Sequence, residues 1–220
     1  MSGRVRRTVF FAVTCVAFLQ VAYNSRPSGL PEGQRPTLEY PDALPPATIP
    51  KEMITTLRVA NVQIVLEKTE LTEVQKRLGG TIVGSGDAST ANASLCFYGT
   101  DANGEWALSL DSSEIGGLRW IDGFKLERVP ANSKADRRCR MIPENAGGVE
   151  LPIALQLGQT EMQVREILGK PTLKYRSTLI FYHQHEEKIR TVPCAVLNTV
   201  DVGFRNGVAW AIAVFKSTQC

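Results

Sequence analysis

Thr160-Glu161-Met162-Gln163-Val164-Arg165-Glu166-Ile167-Leu168-Gly169-Lys170-Pro171 is the stretch whose reading decides the fold. Gly158-Gln159-Thr160-Glu161 leads into a helix that carries Met162, Val164, Ile167 and Leu168. Gly169 caps that helix and Pro171 prevents its continuation. The same punctuation occurs 90 residues upstream, where Val74, Leu78 and Gly79 anticipate Val164, Leu168 and Gly169. Gly117 and Trp120 anticipate Gly207 and Trp210 at the same spacing. Ser94-Leu95-Cys96-Phe97-Tyr98 is echoed by Thr178-Leu179-Ile180-Phe181-Tyr182 at a spacing of 84. Self-similarity at a nearly fixed period marks an internal repeat, so the shared residues serve the folding unit first.

The first repeat spans 53–140. Val59 to Leu66 reads as an entry strand and Thr69 as the start of a short helix bearing Leu71, Val74 and Leu78. Strands are expected at Leu95–Tyr98, Trp106–Leu110 and Leu118–Leu126. The second repeat spans 141–220 in the same order. Leu151–Leu157 enters, and strands follow the helix at Leu179–Tyr182, Ala195–Phe204 and Val208–Phe215. Arg205-Asn206-Gly207 supplies a hairpin turn, because Asn-Gly accepts positive φ at little cost. The fold class expected is α+β: two tandem units, each with short helices packed on one face of an antiparallel sheet.

The N-terminus carries a different signal. Residues 1–23 combine Arg4, Arg6 and Arg7 with an apolar run from Thr8 to Ala22, the pattern of a signal peptide or membrane anchor. Cys15 follows Ala12-Val13-Thr14, a weak lipidation context. Residues 24–52 hold seven of the twelve prolines and read as an extended linker. The net charge is +3; without those three arginines, 22 basic residues face 22 acidic ones. That balance argues against a phosphate-tracking surface, so no nucleic-acid partner is expected.

Four cysteines lie beyond the targeting segment: Cys96, Cys139, Cys194 and Cys220. An even number in an exported chain suggests disulfides. Counting outward from Asn206-Gly207, Cys194 and Cys220 fall nearly opposite one another, which leaves Cys96 with Cys139.

Leu157-Gly158-Gln159-Thr160, Val164, Leu168-Gly169-Lys170-Pro171-Thr172, Phe181-Tyr182 and Val202-Gly203-Phe204-Arg205-Asn206-Gly207-Val208 follow one another in the second repeat. In this series the repeat resembles the SmpA/OmlA (BamE-like) domain, which shares its fold with tandem-repeat β-lactamase inhibitor proteins. The first repeat departs from it, with Glu67-Lys68-Thr69 at the helix start and Gly80-Thr81 after the helix. The resemblance implies a non-catalytic envelope protein that binds another envelope or secreted protein, with assembly of the envelope as its setting. Inhibition of a secreted enzyme is the alternative. The membrane is a further partner if the N-terminal segment stays attached.

Strand alternation points Leu95, Phe97, Leu179 and Phe181 toward the helices, and Tyr98, Tyr182, Cys96 and Ile180 to the other face. On the last strand, Val208, Trp210, Ile212 and Val214 share one face, and Ala209, Ala211, Ala213 and Phe215 share the other. Both faces are apolar, so the outer one either packs on the other repeat or meets a partner; for the second case Tyr98, Tyr182, Ala209, Ala211, Ala213 and Phe215 are the candidate interface. Trp120 and Trp210 read as core. His183-Gln184-His185-Glu186-Glu187 alone has metal-ligand residue types and reads as a charged loop; a small periplasmic metal-binding protein or enzyme using His183 and His185 is the second alternative. No catalytic residue, cofactor or metal site is assigned.

Overall fold

The computed structural model describes residue 38 and residues 53–86, 91–114, 117–130 and 138–220. The targeting segment and almost all of the linker lie outside the described residues. The element order is β1 (Thr56–Val59), β2 (Val62–Val65), α1 (Leu71–Leu78), β3 (Ile82–Ser85), β4 (Asn92–Asp101), β5 (Gly104–Ser113), β6 (Gly123–Arg128), β7 (Arg140–Met141), β8 (Val149–Glu150), α2 (Glu161–Leu168), β9 (Leu173–Tyr175), β10 (Thr178–Ile189), β11 (Val192–Arg205) and β12 (Val208–Gln219). No described helix is long and apolar enough to cross a membrane.

The large sheet runs β3-β4-β5-β6-β12-β11-β10-β9, and β7 adds to β4 beyond the end of β3. β6 and β12 pair antiparallel in the middle, so the two runs of four strands form one continuous sheet. The long hairpins follow from their turns. Asn206 and Gly207 take φ of 53° and 79°, which lets β11 and β12 close through a two-residue loop. At the β4–β5 turn, the Asp101 carboxylate accepts from the Asn103 amide at 2.7 Å and from Arg128 at 2.8 Å.

The expected α+β class is corrected: this is a β-rich fold. The only α-helices among the described residues are α1 and α2, of eight residues each. They bury Leu71, Val74, Val164 and Leu168. A second, three-stranded sheet, β2-β1-β8, brings Leu57, Val59, Val62 and Ile64 into the same core, flanked by Ile54 and Leu66. The layer facing Leu95, Phe97, Leu108, Leu110, Leu179, Phe181, Val200 and Val202 is thus built from strands as much as from helix. The stretch around Val59–Leu66, read as one entry strand, is a hairpin instead. Ala60 turns the chain at φ 52°, and Val59 pairs with Val62. Leu151–Leu157 is not a strand; its Leu155 and Leu157 are nonetheless buried in the core.

The two helix starts differ in chemistry. Thr160 caps α2 through a capping box: its hydroxyl accepts from the Gln163 amide, and the Gln163 side chain accepts from the Thr160 amide at 2.8 Å. Thr69 does not cap α1. Its hydroxyl accepts from the Val65 amide at 3.0 Å, and Glu70 becomes the N-cap without a side-chain bond. Glu67, in the same connection, ties this region to the large sheet. Its carboxylate accepts from the Thr218 amide at 2.6 Å and the Thr218 hydroxyl at 2.7 Å, and it pairs with Lys216.

Both disulfides form as the spacing predicted. Cys96 and Cys139 are bridged with Cα atoms 4.6 Å apart, and Cys194 and Cys220 with Cα atoms 4.1 Å apart. Ala195 pairs with Gln219, so the second bridge closes the open end of the β11–β12 hairpin at the next position. Two disulfides indicate an oxidising, non-cytoplasmic compartment.

Candidate functional site

The face of the large sheet turned away from this core is the candidate site. Cross-strand register resolves it into three rows that run across the strands. One row is Ile180, Asp201, Ala213, Lys125, Ser109 and Cys96. A second is Tyr182, Thr199, Phe215, Gly123, Asp111 and Ser94. The third is Thr178, Gly203, Ala211, Glu127, Ala107 and Tyr98. Small residues dominate the middle: Ala213, Ser109, Gly123, Gly203, Ala211 and Ala107. They make a shallow floor, with Ile180 and Tyr182 along one side and Tyr98 on the other.

Tyr98 and Tyr182 do not meet. They stand on β4 and β10, five strand spacings apart in the sheet order, which is about 24 Å at the usual inter-strand distance. Tyr182 is buried and its hydroxyl hydrogen-bonds Gln184 at 3.0 Å, whereas Tyr98 is half-buried. Ala211, Ala213 and Phe215 lie on this face and are buried as well, at 0%, 2% and 5% exposure. They form its floor and are not an exposed patch.

Ala209 is not on this face. The β11–β12 register shifts between Gly203 and Phe204, so Gly203 pairs with Ala211 while Phe204 pairs with Ala209. A bulge adds one residue to one strand and reverses the in–out alternation beyond it. Ala209 therefore joins the core with Ile212 and Val214. Trp210 is the extra residue and turns to the outer face. Its indole Nε1 stands 3.1 Å from where a Cβ on Gly203 would lie, and the Lys125 ammonium sits 5.7 Å from its ring centroid. Trp120 is also not a core residue: it is half-buried, with the Arg119 guanidinium 4.8 Å over its ring.

Sequence spacing carried a sign of the Gly203–Trp210 approach. A glycine stands seven residues before a tryptophan across a tight turn in both hairpins, Gly99 before Trp106 and Gly203 before Trp210. Trp106 covers Gly99 on the core side, where an added Cβ would come 2.4 Å from its ring. Trp106 stands directly opposite Gly99 on the core side, whereas Trp210 is the residue skipped in the β11–β12 register and approaches Gly203 on the outer face.

Apart from Asp201 on β11, the charged groups of the face lie on the β5–β6 side. Lys125 and Glu127 form an ion pair at 2.7 Å, with side chains 15% and 7% exposed. Burial pushes the Asp111 carboxyl up to about 7; the Ser109 hydroxyl, which donates to it at 3.0 Å, opposes that, the nearby Asp122 charge adds to it, and Lys125 opposes it. Asp122 itself is buried and accepts from the Ser113 amide at 3.0 Å and from the Ser113 hydroxyl.

His183 and His185 do not occupy a loop. Both lie within β10, opposite Asn198 and Val196, on the core side of the sheet. Their rings stack with centroids 5.0 Å apart. Burial, followed by the charge of His185, holds the His183 imidazole below its ordinary value. No group of three or more His, Cys, Asp or Glu side chains converges to hold a metal among the described residues. The face has the character of a docking surface: flat, with small residues, Phe215 and Trp210 in the middle, tyrosines towards its flanks, and the Lys125–Glu127 ion pair.

No family model, curated protein or solved structure matches the chain, so the SmpA/OmlA resemblance stands on the residue pattern alone.

Proposed function

We propose that this protein is an exported or membrane-tethered module of the bacterial envelope, and that it binds another protein without catalysis. The observation that carries the proposal is the outer sheet face, a floor of Ala211, Ala213, Gly203, Gly123, Ala107 and Ser109 between flanking Tyr98 and Tyr182. Such a floor offers a flat, largely apolar surface to an extended segment or to a second protein, with Phe215 and the Trp210 indole standing among its small residues. The two disulfides support an oxidising compartment. Arg4, Arg6 and Arg7, the apolar run and the proline-rich stretch support export with or without a retained tether. The resemblance to BamE-like domains supports a role beside other envelope proteins.

Photo-crosslinking in the native cell tests this. A photoreactive residue in place of Tyr98 or Gln184 should give an adduct with an envelope protein. Adducts with a soluble secreted enzyme would support inhibition instead, and the absence of any protein adduct at both positions would refute the proposal.

A further inference from the structure

The outer face is buried, yet among the described residues the helices and the small sheet lie on the other side. Leu57, Val59, Val62 and Ile64 of the small sheet, and Leu71, Val74, Val164 and Leu168 of the helices, all belong to the core opposite. On the outer face, Ile180 is 1% exposed, Ala211 0%, Ala213 2%, Phe215 5% and Thr199 2%. A bare sheet face of alanines, one phenylalanine and one isoleucine in water would not be so protected. Leu38 shows what lies there. Its Cδ2 stands 2.8 Å from where a Cβ on Gly203 would be, on the side where Trp210 Nε1 also approaches.

We propose that the chain's own proline-rich segment, residues 24–52, is the resident occupant of the outer face, and that Leu38 is its anchor in the Gly203–Trp210 notch. Three features fit this occupant. Gly203 has no side chain and Ala211 opposite it only a methyl, so Leu38 comes close to the backbone there, beside the Trp210 indole. A proline-rich segment is extended and loses little conformational entropy on lying across a flat face. The length also suffices. Ile54 is already on the core side, where its carbonyl accepts from Asn198 Nδ2 at 3.1 Å. Leu38 on the outer side and Met53 are 15 residues apart in sequence, which extends to about 46 Å. β11 is two strand spacings, about 10 Å, from the β9 edge, so that length is ample to round the sheet.

The proposal explains why the floor is both small and covered. It also means that any external partner of this face must displace the segment or bind beside it. It stands whether or not the face takes an external partner, so its failure and that of the proposed function are separable.

The test uses the full-length oxidised protein. A photoreactive residue replaces Leu38, and the crosslinked peptides are mapped by mass. The expected product is a monomer crosslinked between position 38 and the segment 199–213. Crosslinks only to other parts of the chain, or none, would overturn the proposal. A crosslinked dimer would give the face to a second copy and would equally overturn the intramolecular occupant. A second measurement covers the anchor. Leu38→Asp should shift tryptophan emission to longer wavelength and increase binding of a hydrophobic dye, while circular dichroism stays unchanged. The emission shift should vanish when Leu38→Asp is combined with Trp210→Phe. Unchanged emission and dye binding in folded Leu38→Asp would overturn the role of Leu38.

Discussion

Replacing Cys194 and Cys220 together by alanine removes the bridge that closes the open end of the β11–β12 hairpin. The two cysteines are 26 residues apart in sequence. Cross-linking a loop of that length restricts the unfolded chain by an entropy equivalent to about 3.5 kcal/mol at room temperature. For the Cys96–Cys139 bridge, 43 residues apart, the same relation returns about 4 kcal/mol. The folded hairpin loses little else, because β11 and β12 remain paired from Ala195 with Gln219 to Arg205 with Val208. The stability loss should therefore come from the unfolded state, and it leaves a signature there. Equilibrium urea unfolding of the double variant should show a lower midpoint together with a steeper denaturant dependence, since the released chain exposes more surface. A reductant added to the wild type should lower stability by at least as much. Added to the Cys194→Ala/Cys220→Ala variant, it should remove only the contribution of Cys96–Cys139. A loss below about 1 kcal/mol with an unchanged slope would refute the chain-entropy argument. It would mean that the hairpin is as restricted in the unfolded ensemble as in the fold.

Other perturbations address other links. Asp111 is held protonated to about pH 7 in the fold but titrates near 3.8 when unfolded, so its contribution is fully present below about pH 4 and is lost as pH rises through 7. Asp111→Asn should flatten that decline, by roughly 4 kcal/mol at most across the window, as read by denaturation midpoints from pH 4 to 8. A profile identical to wild type would remove Asp111 from the account. Glu67→Ala deletes the acceptor of the Thr218 amide, the Thr218 hydroxyl and Lys216, and should cost about 2–3 kcal/mol in urea unfolding. A cost near zero would show that the loop is not held through its carboxylate. Gly99→Ala sets a Cβ 2.4 Å from the Trp106 ring and should destabilise by about 1–3 kcal/mol with a change in near-ultraviolet circular dichroism; an unchanged spectrum would contradict the close approach. Thr160→Ala removes the α2 cap and should cost about 1 kcal/mol, whereas Thr69→Ala should act on the β2 connection and leave the amide exchange of α1 unchanged.

Local chemistry was legible in the sequence wherever neighbours along the chain decide the outcome. Gly169 and Pro171 end α2, Asn206-Gly207 turns β11 into β12, and counting outward from that turn brings Cys194 within one residue of Cys220, the bulge supplying the last step. Each of these depends on φ preferences or on register within one hairpin. Hydrophobic alternation likewise sent Leu95, Phe97, Leu179 and Phe181 to the core. The pattern ended early for β10, where charged and histidine residues read as a loop but continue the strand through Ile189. There β11 supplies hydrogen bonds whatever the side chains are.

Tertiary structure decided the rest. The weight of the fold shifted from helix to strand because a second sheet, β2-β1-β8, closes the core beside α1 and α2; β8 lies some 90 residues from β1, beyond the reach of local pattern. The pairing of β6 with β12 is another such choice. So is the bulge at Gly203 and Phe204, which sends Ala209 inward and Trp210 outward against a regular alternation. A single inserted residue changes no local propensity, yet it reverses every side chain beyond it, and only the packing on the two faces selects its position. By itself the sequence determined the Asn206-Gly207 turn, the helix stops and the disulfide partners. The composition of the outer face was settled only when distant strands met.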